Sequence, residues 1–148
     1  GQQRRAEVGH RGLHPAVLAA CDAWEDAAHT PVRVVDKGSY PWSEHYSALQ
    51  AEVPDPAVPA TQLNQVLLQR LDAADTIVVA GQASSHCVRA TVEHLVQHLP
   101  GGRPQRLLLL TDCMSPVAGF EPQAQGFLAA MQALGVRCMP QAEAVQKL

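Results

Sequence analysis

Two residues carry the strongest chemical signal in this sequence, Cys87 and Lys37. The cysteine lies in GQASSHCVRATVEHLV (81–96), between the apolar run TIVVA and a stretch whose apolar residues recur at helical spacing. A thiol in the first turn of a helix meets unpaired backbone N–H groups and the positive end of the helix dipole, and both stabilise negative charge on sulfur. The same N–H groups can stabilise the oxyanion of a tetrahedral adduct. Lys37 closes the run PVRVVDKG and would bring a cation to a neighbouring strand end. Each residue also has a bland reading. Cysteine in a βα unit is commonly a small buried hydrophobe, and a loop lysine is commonly solvated. Cys113 also follows an apolar run, has no such company, and is read as inert.

The elements that must position these residues follow from periodicity and turn chemistry. Residues 1–13 read as a polar loop. HPAVLAACDAWEDAA (14–28) reads as a helix with Pro15 in its first turn and Val17, Leu18, Cys21 and Trp24 on one face. PVRVV (31–35) reads as a short strand that ends before Gly38 and Pro41, and AEVPDPAVPA as an extended loop. A second helix is expected over 61–74, capped by Thr61 and facing inward through Leu63, Val66, Leu67 and Leu71. TIVVA (76–80) is apolar on both faces, the pattern of a central parallel strand covered on both sides. The helix after Cys87 carries Val88, Thr91, Val92, Leu95, Val96 and Leu99 on one stripe and stops at Pro-Gly-Gly. LLLLTD (107–112) is a further buried strand, 122–135 a helix closed by Gly135, and VRCM (136–139) a last strand.

This alternation without hairpin signals predicts an α/β fold: three layers, α-β-α, around a mainly parallel Rossmann-like sheet. Sites in such sheets lie at the carboxyl ends of the strands, where Asp36-Lys37-Gly38, the Gly81–Cys87 turn and Thr111-Asp112-Cys113 all fall. The 148 residues suit one domain, and because a helix opens the series, its first strand or strands are expected to be missing. A net charge of −3 gives no basic footprint for nucleic acid. No apolar run is long enough to span a bilayer. The N-terminus shows no secretory pattern. Cys21, Cys87, Cys113 and Cys138 are scattered without metal-binding spacing and are read as reduced thiols of a cytoplasmic protein.

Two segments, VVDKGSYPWSEHYSALQAEV and VVAGQASSHCVRATVEHL, together resemble the isochorismatase-like cysteine hydrolases, nicotinamidases and their relatives above all. Lys37-Gly38 with Tyr46-Ser47, and the Gly81-Gln82-Ala83-Ser84-Ser85-His86-Cys87-Val88 turn, match that family's motifs in order. TDCMSPVAGFEPQAQGFLAAMQALGV is similar to its next strand, loop and helix, so the resemblance covers roughly residues 13 to 140. It implies that Cys87 attacks a small-molecule amide to give a thioester and ammonia, with water completing hydrolysis. It implies that Lys37 holds the thiolate, that the N–H groups of Ala83 and Cys87 form the oxyanion hole, and that the Gln82–Ala83 peptide is cis. Tyr46 and His86 would contact the substrate, nicotinamide being the leading candidate.

The family's catalytic aspartate, and its Asp-x-His and histidine metal ligands, lie upstream of the helix that opens this chain. Asp22 and Asp26 fall on the first helix, Asp36 alternates with Lys37, and Asp112 follows the wrong strand. A divalent metal, zinc or iron, is therefore expected only with the upstream ligands, and no metal site is assigned here. His10 and His14 read as surface or capping residues, and His45 beside Glu44 as a solvated pair or a substrate contact. His94 and His98 have the spacing of a two-ligand helical site but no evident third ligand, and read as an exposed polar face. The expected partners are a small amide substrate and either further copies of this chain or the missing N-terminal part, without nucleic acid or membrane. The alternative function is a catalytically impaired fragment or non-catalytic interaction module of the same fold.

Overall fold

The computed structural model describes residues 13–148, which divide at Asp36/Lys37 into two compact units. In the first unit, α1 (Pro15–Ala28) begins where Pro15 predicts and is capped by His14, whose Nδ1 accepts the Ala16 N–H at 3.2 Å. None of its side chains is buried: Val17 is 50% and Trp24 51% exposed. The predicted strand 31–35 is absent, and those residues run as irregular chain. β-branched residues favour an extended backbone, but a strand exists only through a paired ladder, and no such pairing forms here among the described residues.

The second unit holds α2 (Gln65–Asp72), β1 (Ile77–Gln82), α3 (Cys87–His98), β2 (Leu107–Ser115), α4 (Glu121–Ala133), β3 (Arg137–Met139) and the single-turn α5 (Gln141–Ala144). The strands form a parallel sheet in the order β1-β2-β3, with Ile77 opposite Leu107 and Leu109 opposite Cys138. Period-two alternation along β2 splits its leucines between two layers. Leu107 and Leu109 join Ile77, Val92, Leu95, Phe127 and Met131 in the main core, while Leu108 packs with Met139 and Ala144 on the opposite face. Helices thus lie on both faces of the sheet, α2, α3 and α4 on the main-core face and the single-turn α5 on the other, in keeping with the predicted α-β-α class.

Three sequence expectations are corrected. Among the described residues β1 is an edge strand of the sheet, not a central one, and Val78 is 43% exposed, so only one of its apolar faces is covered. Helix α2 starts at Gln65, capped by Asn64, whose Oδ1 accepts the Leu67 N–H at 3.0 Å. Thr61 is instead buried in a short 3-10 turn, where its hydroxyl pins the proline-rich loop through Asp55 and Val58. That later start turns Leu68 fully inward and leaves Val66 58% exposed.

Candidate active site

The turn between β1 and α3 is built by its sequence and by the end of β2. Gly81 has φ +117°, a backbone state that side chains other than glycine rarely adopt. The Gln82–Ala83 peptide that follows is cis. β2 then fastens the turn: Ser84 N–H donates to Ser115 O at 2.9 Å, and Gln82 Nε2 to Ser115 Oγ at 3.1 Å. The Val117 N–H donates to Ser85 Oγ at 3.0 Å. Ser84 and Ser85 are buried, so the bonds they make are shielded from water, whereas the Gln82–Ser115 side-chain bond is exposed.

Cys87 is the first residue of α3. Ala83 O accepts from both His86 and Val88 N–H groups at 3.0 Å, which closes the turn onto the helix. The N–H groups of Ala83 and Cys87 have no hydrogen-bond partner among the described residues. Lys37 Nζ donates to Cys87 Sγ at 3.1 Å and to the carbonyls of His45 and Tyr46 at 3.0 and 2.8 Å. A cation held by two carbonyls against a thiol at a helix N-terminus stabilises negative charge on sulfur. Residues fifty positions apart in sequence thus form one site.

Tyr46 and His86 stand beside this pair, their ring centroids 5.6 Å apart. Phe120, which no sequence motif marks as a site residue, meets His86 edge-on at 4.7 Å. It lies in the loop after β2, and the only sequence signal for it was its place past a strand end. Ser85 Oγ, which accepts the Val117 N–H, also lies 2.8 Å from His86 Nδ1 and so fixes the orientation of the imidazole ring. The three rings come from separate segments and form a row, Tyr46–His86–Phe120, on a partly exposed surface, where Tyr46 is 41% and Phe120 39% accessible.

Other candidates are placed elsewhere. Asp112 Oδ1 accepts the Gln141 N–H at 2.8 Å and so holds the start of α5. Cys113 is exposed, and desolvation together with the neighbouring Asp112 carboxylate pushes its thiol pKa up. Burial raises that of Cys138. Among the described residues no carboxylate is hydrogen-bonded to Lys37 or Cys87. Asp22 and Asp26 lie on α1, as predicted. His45 lines an open cavity of about 480 Å³ with Gly38, Tyr40, Trp42 and Glu44, and its Nε2 has no hydrogen-bond partner among the described residues. His94 is not on an exposed polar face: it is partly buried against Ser47, whereas His98 is exposed. No group of three or more His, Cys, Asp or Glu among the described residues is arranged to hold a metal ion. His10 lies outside the described residues. No described helix is long and apolar enough to cross a membrane.

No family model matches the chain, and no curated protein matches it. Its fold is nonetheless that of solved nicotinamidases. The chain is similar to the yeast nicotinamidase Pnc1p, at TM-score 0.56 and 20% identity over 81% of this chain and 50% of that one. The same yeast enzyme bound to the inhibitor nicotinaldehyde gives TM-score 0.56 and 18% identity over the same shares. The nicotinamidase–pyrazinamidase of Acinetobacter baumanii gives 0.57 and 20% over 77% of this chain and 50% of its own. The α/β fold with a parallel sheet expected from the sequence is therefore shared with these structures, and the chain spans about half the length of the structures it matches.

Proposed function

We propose that Cys87 is the nucleophile of a cysteine hydrolase that cleaves a small-molecule C–N amide, nicotinamide being the leading substrate. The observation that carries this reading is the 3.1 Å contact between Lys37 Nζ and Cys87 Sγ at the N-terminus of α3. The thiolate adds to the amide carbonyl, and the resulting oxyanion is held by the Ala83 and Cys87 N–H groups. Collapse breaks the C–N bond, the nitrogen takes a proton from solvent water and leaves as ammonia, and the resulting hydroxide or a second water hydrolyses the thioester to the acid and restores the thiolate. Tyr46 and His86 contact the substrate ring, with Phe120 at the edge of His86.

A second reading, an impaired or non-catalytic module of this fold, is favoured by the lack of a carboxylate bonded to Lys37 or Cys87 among the described residues. Without an acid–base partner, turnover falls by roughly a hundred- to ten-thousandfold. The test is ammonia release from nicotinamide by the intact protein beside Cys87→Ala, with nicotinaldehyde as a competitor for the thiol. Activity lost in Cys87→Ala and blocked by nicotinaldehyde supports the hydrolase. Equal rates in both proteins overturn the nucleophile, and silence in both supports the second reading.

A further inference from the structure

Helix α3 carries Cys87, Thr91 and His94 at spacings of four and three residues, which places them along one face. The segment 45–49 is bonded to that face. Ala48 N–H donates to Thr91 Oγ1 at 3.0 Å, and the Thr91 hydroxyl donates to Cys87 O at 2.8 Å. His94 Nδ1 lies 2.8 Å from Ser47 Oγ. Ser47 is fully buried, and its oxygen accepts the Leu49 N–H at 3.0 Å. Its hydroxyl hydrogen needs an acceptor, and His94 Nδ1 is the one it has among the described residues. The imidazole is therefore neutral, with its proton on Nε2. The same segment supplies the His45 and Tyr46 carbonyls that hold Lys37.

We propose that His94 is a positioning residue: by accepting from Ser47 it holds segment 45–49 on α3, keeps Lys37 against Cys87, and releases both when it is protonated. A proton on Nδ1 forces the bond to reverse and strands the buried Ser47 hydroxyl hydrogen, a loss that a water-excluded site does not repair. The ionisable groups facing His94 are Glu93 and His98 on its own helix, the latter with ring centroids 5.8 Å away, and Glu52 from the loop. Glu93 is paired with Arg89 at 2.8 Å. Burial is the largest influence and, with His98, holds the His94 pKa below its ordinary 6.5 against the pull of the two carboxylates. The latch is thus closed at neutral pH and opens on acidification.

The proposal rests on Cys87 as the reacting thiol but not on its substrate, so the test reads alkylation and not amide cleavage. Iodoacetamide labelling of the Cys87 peptide is followed by mass spectrometry in the intact protein, from about pH 5 to about pH 8, the range in which histidine titrates. His94→Asn keeps an acceptor at the Nδ1 position and cannot titrate. Its rate is expected to match wild type at the alkaline end, with the wild-type-to-variant ratio falling about tenfold at the acid end. Taking the ratio cancels the thiol's own ionisation. His94→Leu, which removes the acceptor, is expected to label about tenfold more slowly at all these pH values than His94→Asn. A pH-independent ratio for His94→Asn, or wild-type labelling by a folded His94→Leu, overturns the proposal. Should His94→Leu fail to fold, the His94→Asn ratio decides alone. Inactivity toward nicotinamide leaves every arm of this test intact.

Discussion

At the scale of single residues, Lys37 does two jobs that cannot be separated by inspection of the sequence. Its ammonium satisfies the His45 and Tyr46 carbonyls and simultaneously supplies the cation beside Cys87 Sγ. Lys37→Met keeps much of the stem and removes all three donors. It is expected to slow iodoacetamide labelling of Cys87 by about tenfold, the worth of one lost charge-assisted hydrogen bond. Unchanged labelling would show that the contact has no bearing on the thiol. The motif resemblance made Lys37, Tyr46 and Cys87 legible from sequence, because each sits in a local pattern of distinctive residues. Ser47, Thr91, His94 and Phe120 were not legible as a group. Their roles come from hydrogen bonds and ring contacts between segments, and a histidine at helical spacing looks the same in sequence whether it meets water or a buried serine.

At the scale of elements, α2 depends on a residue outside it. Arg106, at the entrance to β2, is 6% exposed and donates to the carbonyls of Leu71, Asp72 and Ala74 as well as to Asp72 Oδ1. It therefore satisfies the Asp72 and Ala74 carbonyls, which the helix end does not satisfy internally, while Leu71 O also accepts backbone N–H groups. Arg106→Leu is expected to cost about 2–3 kcal/mol in a urea unfolding experiment, since buried acceptors lose a charged donor. The pair also sets an acid limit. The Arg106 hydrogen bond, followed by the Gly101 N–H, lowers the Asp72 pKa from its ordinary 3.8. A carboxyl whose folded pKa is depressed contributes stability above the unfolded value, and that contribution is lost as pH falls through the folded one. Wild type should therefore lose stability below about pH 4, while Asp72→Asn, less stable at neutral pH, should show a shallower acid decline. Parallel acid profiles for the two proteins would exclude this role. The elements themselves were legible where apolar periodicity was long, as in α3 and β2. PVRVV was misleading, because propensity describes one chain and a strand requires a second.

At the scale of the whole molecule, the parallel sheet leaves its apolar edge strand β1 with Val78 43% exposed, and α1 has no buried side chain. An open apolar edge invites pairing with another strand. A polypeptide of these 148 residues is accordingly expected to self-associate, to bind a polypeptide that supplies further strands, or to unfold without a cooperative transition. Sedimentation velocity with thermal unfolding checks this, and a monomer that melts cooperatively would contradict it. The amino-acid sequence by itself determined the α/β class, the buried strands and the cysteine turn, since these rest on local periodicity and on residues adjacent in the chain. Only the tertiary structure decided that His94 meets Ser47 and that β1 lies at an edge of the described sheet, and it alone gave the geometry of the Lys37–Cys87 contact that the motif resemblance implied. Those outcomes depend on which distant segments share a surface, and hydrogen-bond partners across fifty residues are chosen by packing, not by composition.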